Sequence, residues 1–371
     1  MMKKRYLTEQ IKQDLARKMV FVGGPRQVGK TTLAKTFLHN QKGYLNWDVP
    51  EHRERILNRE FPTAPLWVFD EIHKYRTWRN YLKGIYDVKP PHQQILVTGS
   101  ARLDYYRFSG DSLQGRYHYL RMHPLSFAEL KLKNQHDLLD LLQLGGFPEP
   151  YFSASEIESK RWAREYRTRL IREDLVQLER VHDLGNIELL VMRLPALVGS
   201  PLSINSIRED LQVSHKAVST WLQMLERLYA IFRLAPFGAP QIRAVKKEQK
   251  HYHFDWTLVP DMSLRFENLV ACALLKWAHY QQDVLGEEIN LCYFRDIDGR
   301  EVDFVIVKDK KPIMFIECKW NDAPLSSALR YLKERFPACD AWQISAIGKK
   351  DFVDERGIRV CPARDFLGTL V

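Results

Sequence analysis

The chain has 371 residues, 45% of them hydrophobic, and a formal net charge of +10. This length suits two or three domains with sizeable cores, and the charge suits a phosphate-rich partner without requiring one. The five cysteines show no CxxC or Cys/His spacing, so the sequence suggests neither a zinc finger nor a disulfide framework. No stretch reaches the ~18 apolar residues of a membrane span, so we expect a cytoplasmic protein with no membrane partner.

The first motif joins a strand, a glycine-rich loop and a helix. An apolar strand at 19–22 leads into GPRQVGKT and a helical pattern, which matches G-x-x-x-x-G-K-[ST]. Such glycines let backbone N–H groups approach phosphates, and the helix N-terminus adds a positive dipole. We therefore predict bound ATP and Mg²⁺, with Lys30 on the phosphates and Thr31 on the metal. The predicted nucleotide-binding residues are Gly24, Pro25, Arg26, Gln27, Val28, Gly29, Lys30, Thr31 and Thr32.

A second apolar strand, at 66–69, ends in the acidic pair Asp70 and Glu71. Ligands of open parallel sheets bind at the carboxyl ends of the strands. Asp70 is therefore predicted to hold Mg²⁺, and Glu71 to orient and polarise the attacking water. The alternative is that the pair only caps the next helix.

Two further polar positions are candidates for the same reaction. A third apolar strand, at 94–98, is followed by Ser100, whose hydroxyl is predicted to sense the γ-phosphate together with that of Thr98. Arg116 comes just before another strand, and an arginine there would stabilise transition-state charge, either in cis or across the subunit interface of a homo-oligomer. A plain surface arginine is the alternative.

The middle of the chain is predicted to be helical. The Gly, Pro and Ser residues of GGFPEPYFSAS mark a boundary, and amphipathic helices are expected over 156–192. A helix-turn-helix rhythm follows, in which Ser203 and Ser214 cap two helices. The second helix presents an apolar face made of Ala217, Val218, Trp221, Leu222 and Leu225.

The partner of this helix pair stays open. The second helix offers few basic residues beside His215 and Lys216, whereas readers of DNA usually carry several Arg or Lys. A protein partner is therefore as good an expectation as a DNA duplex. A basic segment further along is predicted to form a wing that contacts phosphates through Arg243, Lys246, Lys247 and Lys250.

The stretch EVDFVIVKDKKPIMFIECKW at 301–320 predicts two strands joined by a tight turn near Lys310. In an antiparallel hairpin, Asp303 would face Glu317 and Glu301 would face Lys319, with Cβ atoms about 5 Å apart. Like charges placed opposite each other destabilise a sheet. The sequence therefore predicts a cation between Asp303 and Glu317.

A preceding helical pattern places Glu267 on an apolar face, where an unpaired carboxylate is costly. Glu267, Asp303, Glu317 and Lys319 together resemble the core of the PD-(D/E)xK nucleases, with REVD in place of a Pro-Asp pair. That resemblance implies that Asp303 and Glu317 hold Mg²⁺ or Mn²⁺ and that Lys319 positions the water. The alternative is a relic centre bonded to Arg295, Arg300 or backbone groups.

Taken together, GPRQVGKTT, FDEIHK, ILVTGSAR, GRYHYLRMHPLSFAEL and GGFPEP resemble the prokaryotic AAA+-type predicted ATPases that carry a winged-helix segment and a restriction-endonuclease-like domain. The resemblance implies an α/β protein with an AAA+/ASCE-like P-loop parallel sheet, in which the two phosphate-site strands are not sequence neighbours. The implied domains are a P-loop ATPase at 1–150, a helical and winged-helix domain at 151–240 and a nuclease-like domain at 241–371.

The function expected from this resemblance is ATP hydrolysis coupled to a nuclease-like domain that acts on nucleic acid, DNA more than RNA. The alternative is a nucleotide-switched binding or regulatory protein, whose nuclease-like domain only grips a partner.

Overall fold

The structure is a computed structural model in which the chain forms two compact units, 1–124 and 125–371. The described residues are 4–99, 113–175, 183–238 and 249–371. The predictions for Ser100, Arg243, Lys246 and Lys247 lie outside the described residues. Within the described ranges, no helix combines the length and the apolar character that crossing a membrane requires.

The first unit is built on a parallel five-stranded sheet with the order β2-β3-β4-β1-β5. The strand at 19–23 and the strand at 66–70 are buried along their whole length, as expected for a parallel sheet covered on both faces. The strands are β1 (Met19–Gly23), β2 (Tyr44–Asn46), β3 (Leu66–Asp70), β4 (Gln94–Thr98) and β5 (Tyr117–Arg121). The two phosphate-site strands, β1 and β3, are not sequence neighbours, as the resemblance implied, because β2 lies between them in the chain. In the sheet, β4 lies between them.

One helix precedes the first strand of this sheet, and the others lie on the chain segments between the strands. They are α1 (Thr8–Leu15), α2 (Lys30–Lys35), α3 (Pro50–Asn58) and α4 (Trp78–Val88), with short 3-10 turns at Gln41–Gly43 and Ile72–Lys74. Because the strands are parallel, the loop after β1 and the acidic end of β3 lie at the same edge of the sheet. This edge is where the predicted nucleotide residues meet.

The second unit begins with a helical region. Its helices are α5 (Phe127–Leu130), α6 (Gln135–Leu144), α7 (Pro148–Ser153), α8 (Glu156–Arg169), α9 (Leu184–Arg193), α10 (Ile204–Leu211) and α11 (His215–Arg227), with a π-helical turn at Leu170–Leu175 and a 3-10 turn at Leu194–Leu197. The predicted caps are confirmed, since Ser203 accepts the N–H of Ser206 and Ser214 accepts that of Ala217. An antiparallel ribbon follows, formed by β6 (Ile231–Leu234) and β7 (Lys250–His253).

The rest of the second unit is a six-stranded mixed sheet with the order β12-β13-β11-β10-β9-β8. Its elements are a 3-10 turn at Trp256–Leu258, α12 (Met262–Leu285), β8 (Ile289–Arg295), β9 (Glu301–Lys308), β10 (Lys311–Lys319), α13 (Ser327–Arg335), β11 (Asp340–Ser345), β12 (Phe352–Val353), β13 (Arg359–Pro362) and α14 (Ala363–Leu367). β8, β9 and β10 pair antiparallel, and β10 continues into the sheet through parallel pairing with β11.

The hairpin of β9 and β10 has the predicted tight turn. Asp309 and Lys310 carry the turn with φ values of 49° and 65°, which suits a two-residue hairpin loop. An irregularity between Pro312 and Met314 shifts the pairing by one residue, after which Ile316 lies opposite Phe304. The next residues on the two strands are Glu317 and Asp303, so the predicted register is reached through this bulge.

Candidate functional site

The phosphate loop has the backbone geometry that its glycines were expected to provide. Gly24 has a φ of 133°, and a Cβ there would collide with the carbonyl oxygen of Met122. Gly29, with a φ of 97°, stands at the N-terminus of α2. The ammonium of Lys30 donates to the carbonyl oxygens of Gly24 at 2.9 Å and Pro25 at 2.5 Å. The lysine is therefore folded back over the loop that the nucleotide phosphates would enter.

Asp70 lies at the carboxyl end of β3 and is 3% exposed. Thr31 Oγ1 donates to Asp70 Oδ2 at 2.8 Å, and Thr98 Oγ1 donates to Oδ1 at 2.6 Å. Tyr44 also donates its hydroxyl to Asp70 Oδ2, at 2.6 Å. The structure thus brings together Thr31 and Asp70, the two residues predicted to hold Mg²⁺. Both offer oxygen atoms, which are the ligands that Mg²⁺ prefers.

Glu71 follows Asp70 in a left-handed backbone conformation, with a φ of 57° and its N–H donated to the carbonyl of Thr98 at 2.9 Å. Its Oε2 lies 3.5 Å from Lys74 Nζ and 3.6 Å from His73 Nε2. Burial raises the pKa of the Glu71 carboxyl, and the charges of Lys74 and Lys30 oppose that rise. A raised pKa is suitable for a carboxylate that accepts a proton.

Two residues of this site were missed by the sequence analysis. Tyr44 is one, because its short strand carries no motif. Arg5 is the other: its guanidinium donates to the carbonyl oxygens of Val28 at 2.5 Å and His123 at 2.6 Å. Arg5 therefore ties the phosphate loop to the segment after β5, a contact over a sequence separation that no local pattern reveals.

Arg116 is not part of this site within the chain. It precedes β5, and its carbonyl accepts the N–H of Met19 at the start of β1. The amino ends of these parallel strands are opposite the phosphate edge, about 13 Å or more away for a five-residue strand. Arg116 pairs instead with Asp87 at 2.8 Å. A role in cis does not fit this position, and a role across a subunit interface stays a prediction.

In the second unit, the predicted nuclease-like residues come from α12, β9 and β10. Glu267 is on α12, and its Oε1 accepts the hydroxyl of Tyr252 at 2.7 Å. Asp303 on β9 accepts the backbone N–H of Cys318 at 2.8 Å. On β10, Lys319 Nζ lies 2.8 Å from Glu317 Oε1. We call Glu267, Glu301, Asp303 and Glu317 the acidic centre.

A lysine that the sequence analysis placed elsewhere lies among these acids. The prediction that Lys250 contacts phosphates in an exposed wing is wrong, because its side chain is 0% exposed and β7 is buried along its length. Its Nζ is 2.5 Å from Glu301 Oε1, 3.6 Å from Glu267 Oε1 and 3.9 Å from Asp303 Oδ1. The hairpin pattern predicted a cation near Asp303. The protein itself provides one there, the ammonium of Lys250.

Arg295 and Arg300, the arginines predicted as alternative partners of the acids, differ in the carboxylates that they contact. Arg295 lies 3.6 Å from Glu301, whereas Arg300 pairs with Asp296 and Asp298 at 2.9 and 2.8 Å. Of these two arginines, only Arg295 contacts the acidic centre.

Burial dominates the electrostatics of the acidic centre. It raises the pKa of Glu267 and of Glu317, and the charge of Asp303 raises both further, while Lys250 and Lys319 oppose the rise. The pKa of Asp303 is also raised by burial. Within the described ranges, no group of three or more His, Cys, Asp or Glu side chains is arranged to hold a metal ion. The metal role of Asp303 and Glu317 stays a prediction.

A second buried ion pair in this unit was not predicted. Lys276 in the middle of α12 lies 2.6 Å from Glu129, and the two side chains are 1% and 3% exposed. Its ammonium also donates to Ser126 Oγ at 2.9 Å. The helical pattern showed the apolar face of α12 but gave no sign of this lysine's partner.

Comparisons with known proteins agree with the geometry of the first unit. Residues 16–131 match the family model of an AAA domain, and two domains of unknown function, DUF8612 and DUF4143, match residues 135–268 and 264–366. No curated protein matches the chain.

Among solved structures, a Walker-type ATPase of Pyrococcus abyssi is similar at 15% identity over 70% of this chain and 94% of that one, with a TM-score of 0.41. A RuvB of Thermotoga maritima is similar at 14% identity over 61% and 88%, with a TM-score of 0.28. The DNA clamp loader delta protein of Bacillus subtilis is similar at 10% identity over 59% and 88%, with a TM-score of 0.30. With the family match, the parallel sheet and the phosphate loop, residues 16–131 are an AAA-type ATPase domain on an α/β P-loop fold.

Proposed function

We propose that the first unit hydrolyses ATP in a Mg²⁺-dependent reaction. The observation that carries the proposal is the contact of Thr31 with Asp70, 2.8 Å apart, beside a phosphate loop that ends in Lys30. The loop N–H groups and Lys30 would bind the phosphates. Thr31 and Asp70 would hold Mg²⁺, which when bound supplies positive charge for the transferred phosphoryl group.

Glu71 is the proposed base of this reaction. Its carboxylate would accept a proton from the attacking water, while Lys74 and His73, at 3.5 and 3.6 Å, fix its direction. Arg5 and Tyr44 would act as positioning residues, the first through the carbonyl of Val28 and the second through Asp70.

The test is phosphate release from ATP by the full chain, with Mg²⁺ and with a chelator. Lys30→Ala should lose turnover by about 10²–10³-fold, the usual cost of one lost charge-stabilising donor. Lys12→Ala is the matched control, since Lys12 is an exposed lysine of α1 whose ammonium lies 3.5 Å from Glu9. Equal turnover in wild type and Lys30→Ala would contradict the proposal.

We further propose that ATP turnover is coupled to a nuclease-like domain that acts on nucleic acid, DNA rather than RNA. The order helix, three antiparallel strands, helix and parallel strand in α12 to β11 supports this proposal, as do the helix pair with its ribbon and the net charge of +10. The division into domains at 150 and 240 belongs to the same proposal.

The alternative, a nucleotide-switched binding protein, is favoured by one observation. Lys250 is buried among the acids that a metal-dependent nuclease would need free. Cleavage of labelled DNA with Mg²⁺ or Mn²⁺ separates the two functions: cleavage that Asp303→Ala abolishes indicates a nuclease. If the wild-type chain and Asp303→Ala both bind the DNA and neither cleaves it, the domain is a binding module.

A further inference from the structure

We propose that Lys250 is the resident cation of the acidic centre and occupies the position that a divalent metal ion would otherwise take between Glu267 and Asp303. The inference concerns only the second unit and does not depend on ATP hydrolysis in the first.

The contacts of the ammonium group are the first argument. One nitrogen lies within 4 Å of three carboxylates, at 2.5 Å from Glu301, 3.6 Å from Glu267 and 3.9 Å from Asp303. An ammonium has three N–H donors and no acceptor, so it suits a site made of carboxylate oxygens. A divalent ion bound to the same oxygens would lie about 2.0–2.6 Å from each of them. It would therefore occupy the space that the ammonium already fills.

The lysine is also fixed in place by its own strand. β7 pairs with β6 in the register Lys250 to Leu234, and the carbonyl of Gln249 accepts the N–H of Leu202. Two residues after Lys250, on the same face of the strand, Tyr252 donates its hydroxyl to Glu267 at 2.7 Å. Lys250 also stands 5.5 Å from the ring centroid of Tyr293. These backbone contacts fix β7, so the side chain of Lys250 leaves the strand on the face that meets Glu267.

The charges of the centre lead to the same conclusion. Its carboxylates are those of Glu267, Glu301, Asp303 and Glu317. Besides Lys250, two cations among the described residues contact them: Lys319 lies 2.8 Å from Glu317, and Arg295 lies 3.6 Å from Glu301. Side chains of the chain thus offset most of the negative charge. A divalent ion added to these three cations would leave the centre with an excess of positive charge.

The test is Mn²⁺ binding to the full, nucleotide-free chain, followed by the electron paramagnetic resonance signal of the free ion. Wild type and Asp303→Asn should bind the same amount of Mn²⁺. Lys250→Met removes the ammonium but keeps most of its volume, so this variant should bind additional Mn²⁺ and lose it again in Lys250→Met/Asp303→Asn. Lys308→Met is the control, because Lys308 is a lysine of β9 whose ion pair is with Glu287, outside the centre; it should bind as wild type does.

Two results would overturn the proposal. One is wild-type chain that binds Mn²⁺ and loses it in Asp303→Asn, because the metal would then share the centre with Lys250. The other is a folded Lys250→Met chain that takes up no additional Mn²⁺. If Lys250→Met does not fold, the comparison of wild type with Asp303→Asn still decides, since equal binding supports the proposal and unequal binding contradicts it.

Discussion

Asp70 in the first unit and Asp303 in the second are both carboxylates predicted to bind a metal ion, yet their surroundings differ. Asp70 accepts three neutral hydroxyls, from Thr31, Tyr44 and Thr98. Asp303 accepts one backbone N–H and stands 3.9 Å from the ammonium of Lys250. Hydroxyls orient a carboxylate without neutralising it, whereas an ammonium offsets its charge. The same residue type is thus oriented by neutral hydroxyls in one unit and has a cation beside it in the other.

The largest expected effect concerns the base beside Asp70. Glu71→Gln keeps the shape of the side chain but cannot accept a proton, so turnover of ATP should fall by about 10²–10⁴-fold. Nucleotide binding should persist, because the phosphate loop is unchanged. Steady-state phosphate release and binding of a fluorescent ATP analogue measure the two separately. Turnover at the wild-type rate would remove Glu71 from the role of base.

A buried pair outside the acidic centre tests how much the second unit depends on matched charges. Lys276→Met removes the ammonium that lies 2.6 Å from the buried carboxylate of Glu129, and the free energy of unfolding should fall by about 3–5 kcal/mol. The double variant Lys276→Met/Glu129→Leu removes both charges and should recover most of that loss. Urea unfolding of both variants measures the effect, and a double variant no more stable than Lys276→Met would contradict it.

Two buried histidines should lower the stability of the second unit in mild acid, against the opposite effect of Glu267 and Glu317, whose pKa values are raised by burial. Burial lowers the pKa of His251 to about 4 and that of His253 to about 3, from an ordinary 6.5. Below pH 6.5 these imidazoles bind protons in the unfolded chain but not in the folded one, so their contribution to stability falls as the pH drops from about 6.5 toward the folded pKa values. At pH 5 the loss should be on the order of 2 kcal/mol for each imidazole.

Urea unfolding between pH 5 and pH 7 measures this loss. Replacing His251 and His253 together by glutamine should remove this loss, so the stability of the variant relative to wild type should rise as the pH falls from 7 to 5. An unchanged difference between the two chains over this pH range would contradict the role of the imidazoles.

The smallest expected effect concerns the hydroxyl that supports Asp70. Tyr44→Phe removes one hydrogen bond of 2.6 Å to Asp70 Oδ2, which should cost about 1 kcal/mol. In turnover assays, the variant should need a few-fold higher Mg²⁺ concentration for half-maximal turnover. Its maximal rate should be nearly unchanged. Tyr86→Phe is a control, since the ring of Tyr86 contacts Lys89. A maximal rate that falls as far as in Glu71→Gln would mean that Tyr44 does more than orient Asp70.

The sequence predicted that Thr31 and Asp70 lie close together, and the structure places them 2.8 Å apart, because the signals needed for that prediction are local. Lys30 and Thr31 are one motif, and Asp70 ends an apolar strand, so spacing and strand direction suffice to bring them together. The hairpin of β9 and β10 was predicted for the same reason, since alternation and a tight turn determine its register. The bulge between Pro312 and Met314 was not predicted, because no residue pattern announces it.

The partners that came from distant segments were missed. Lys250 lies in a basic stretch that is typical of an exposed wing, and its burial depends on the pairing of β7 and on acids from α12 and β9. The sequence did predict a cation between the acids. A lysine close to apolar residues in the sequence was a candidate for that cation. Arg5 and Tyr44 had no such signal, because Arg5 acts through two long-range hydrogen bonds and Tyr44 through one.

One measurement tests the contrast between the two units most directly: the number of Mn²⁺ ions bound per chain with a non-hydrolysable ATP analogue. The account predicts one ion in the wild-type chain, lost in Asp70→Asn and kept in Asp303→Asn. A second ion in wild type that Asp303→Asn removes would contradict it, because the acidic centre would then hold a metal alongside Lys250.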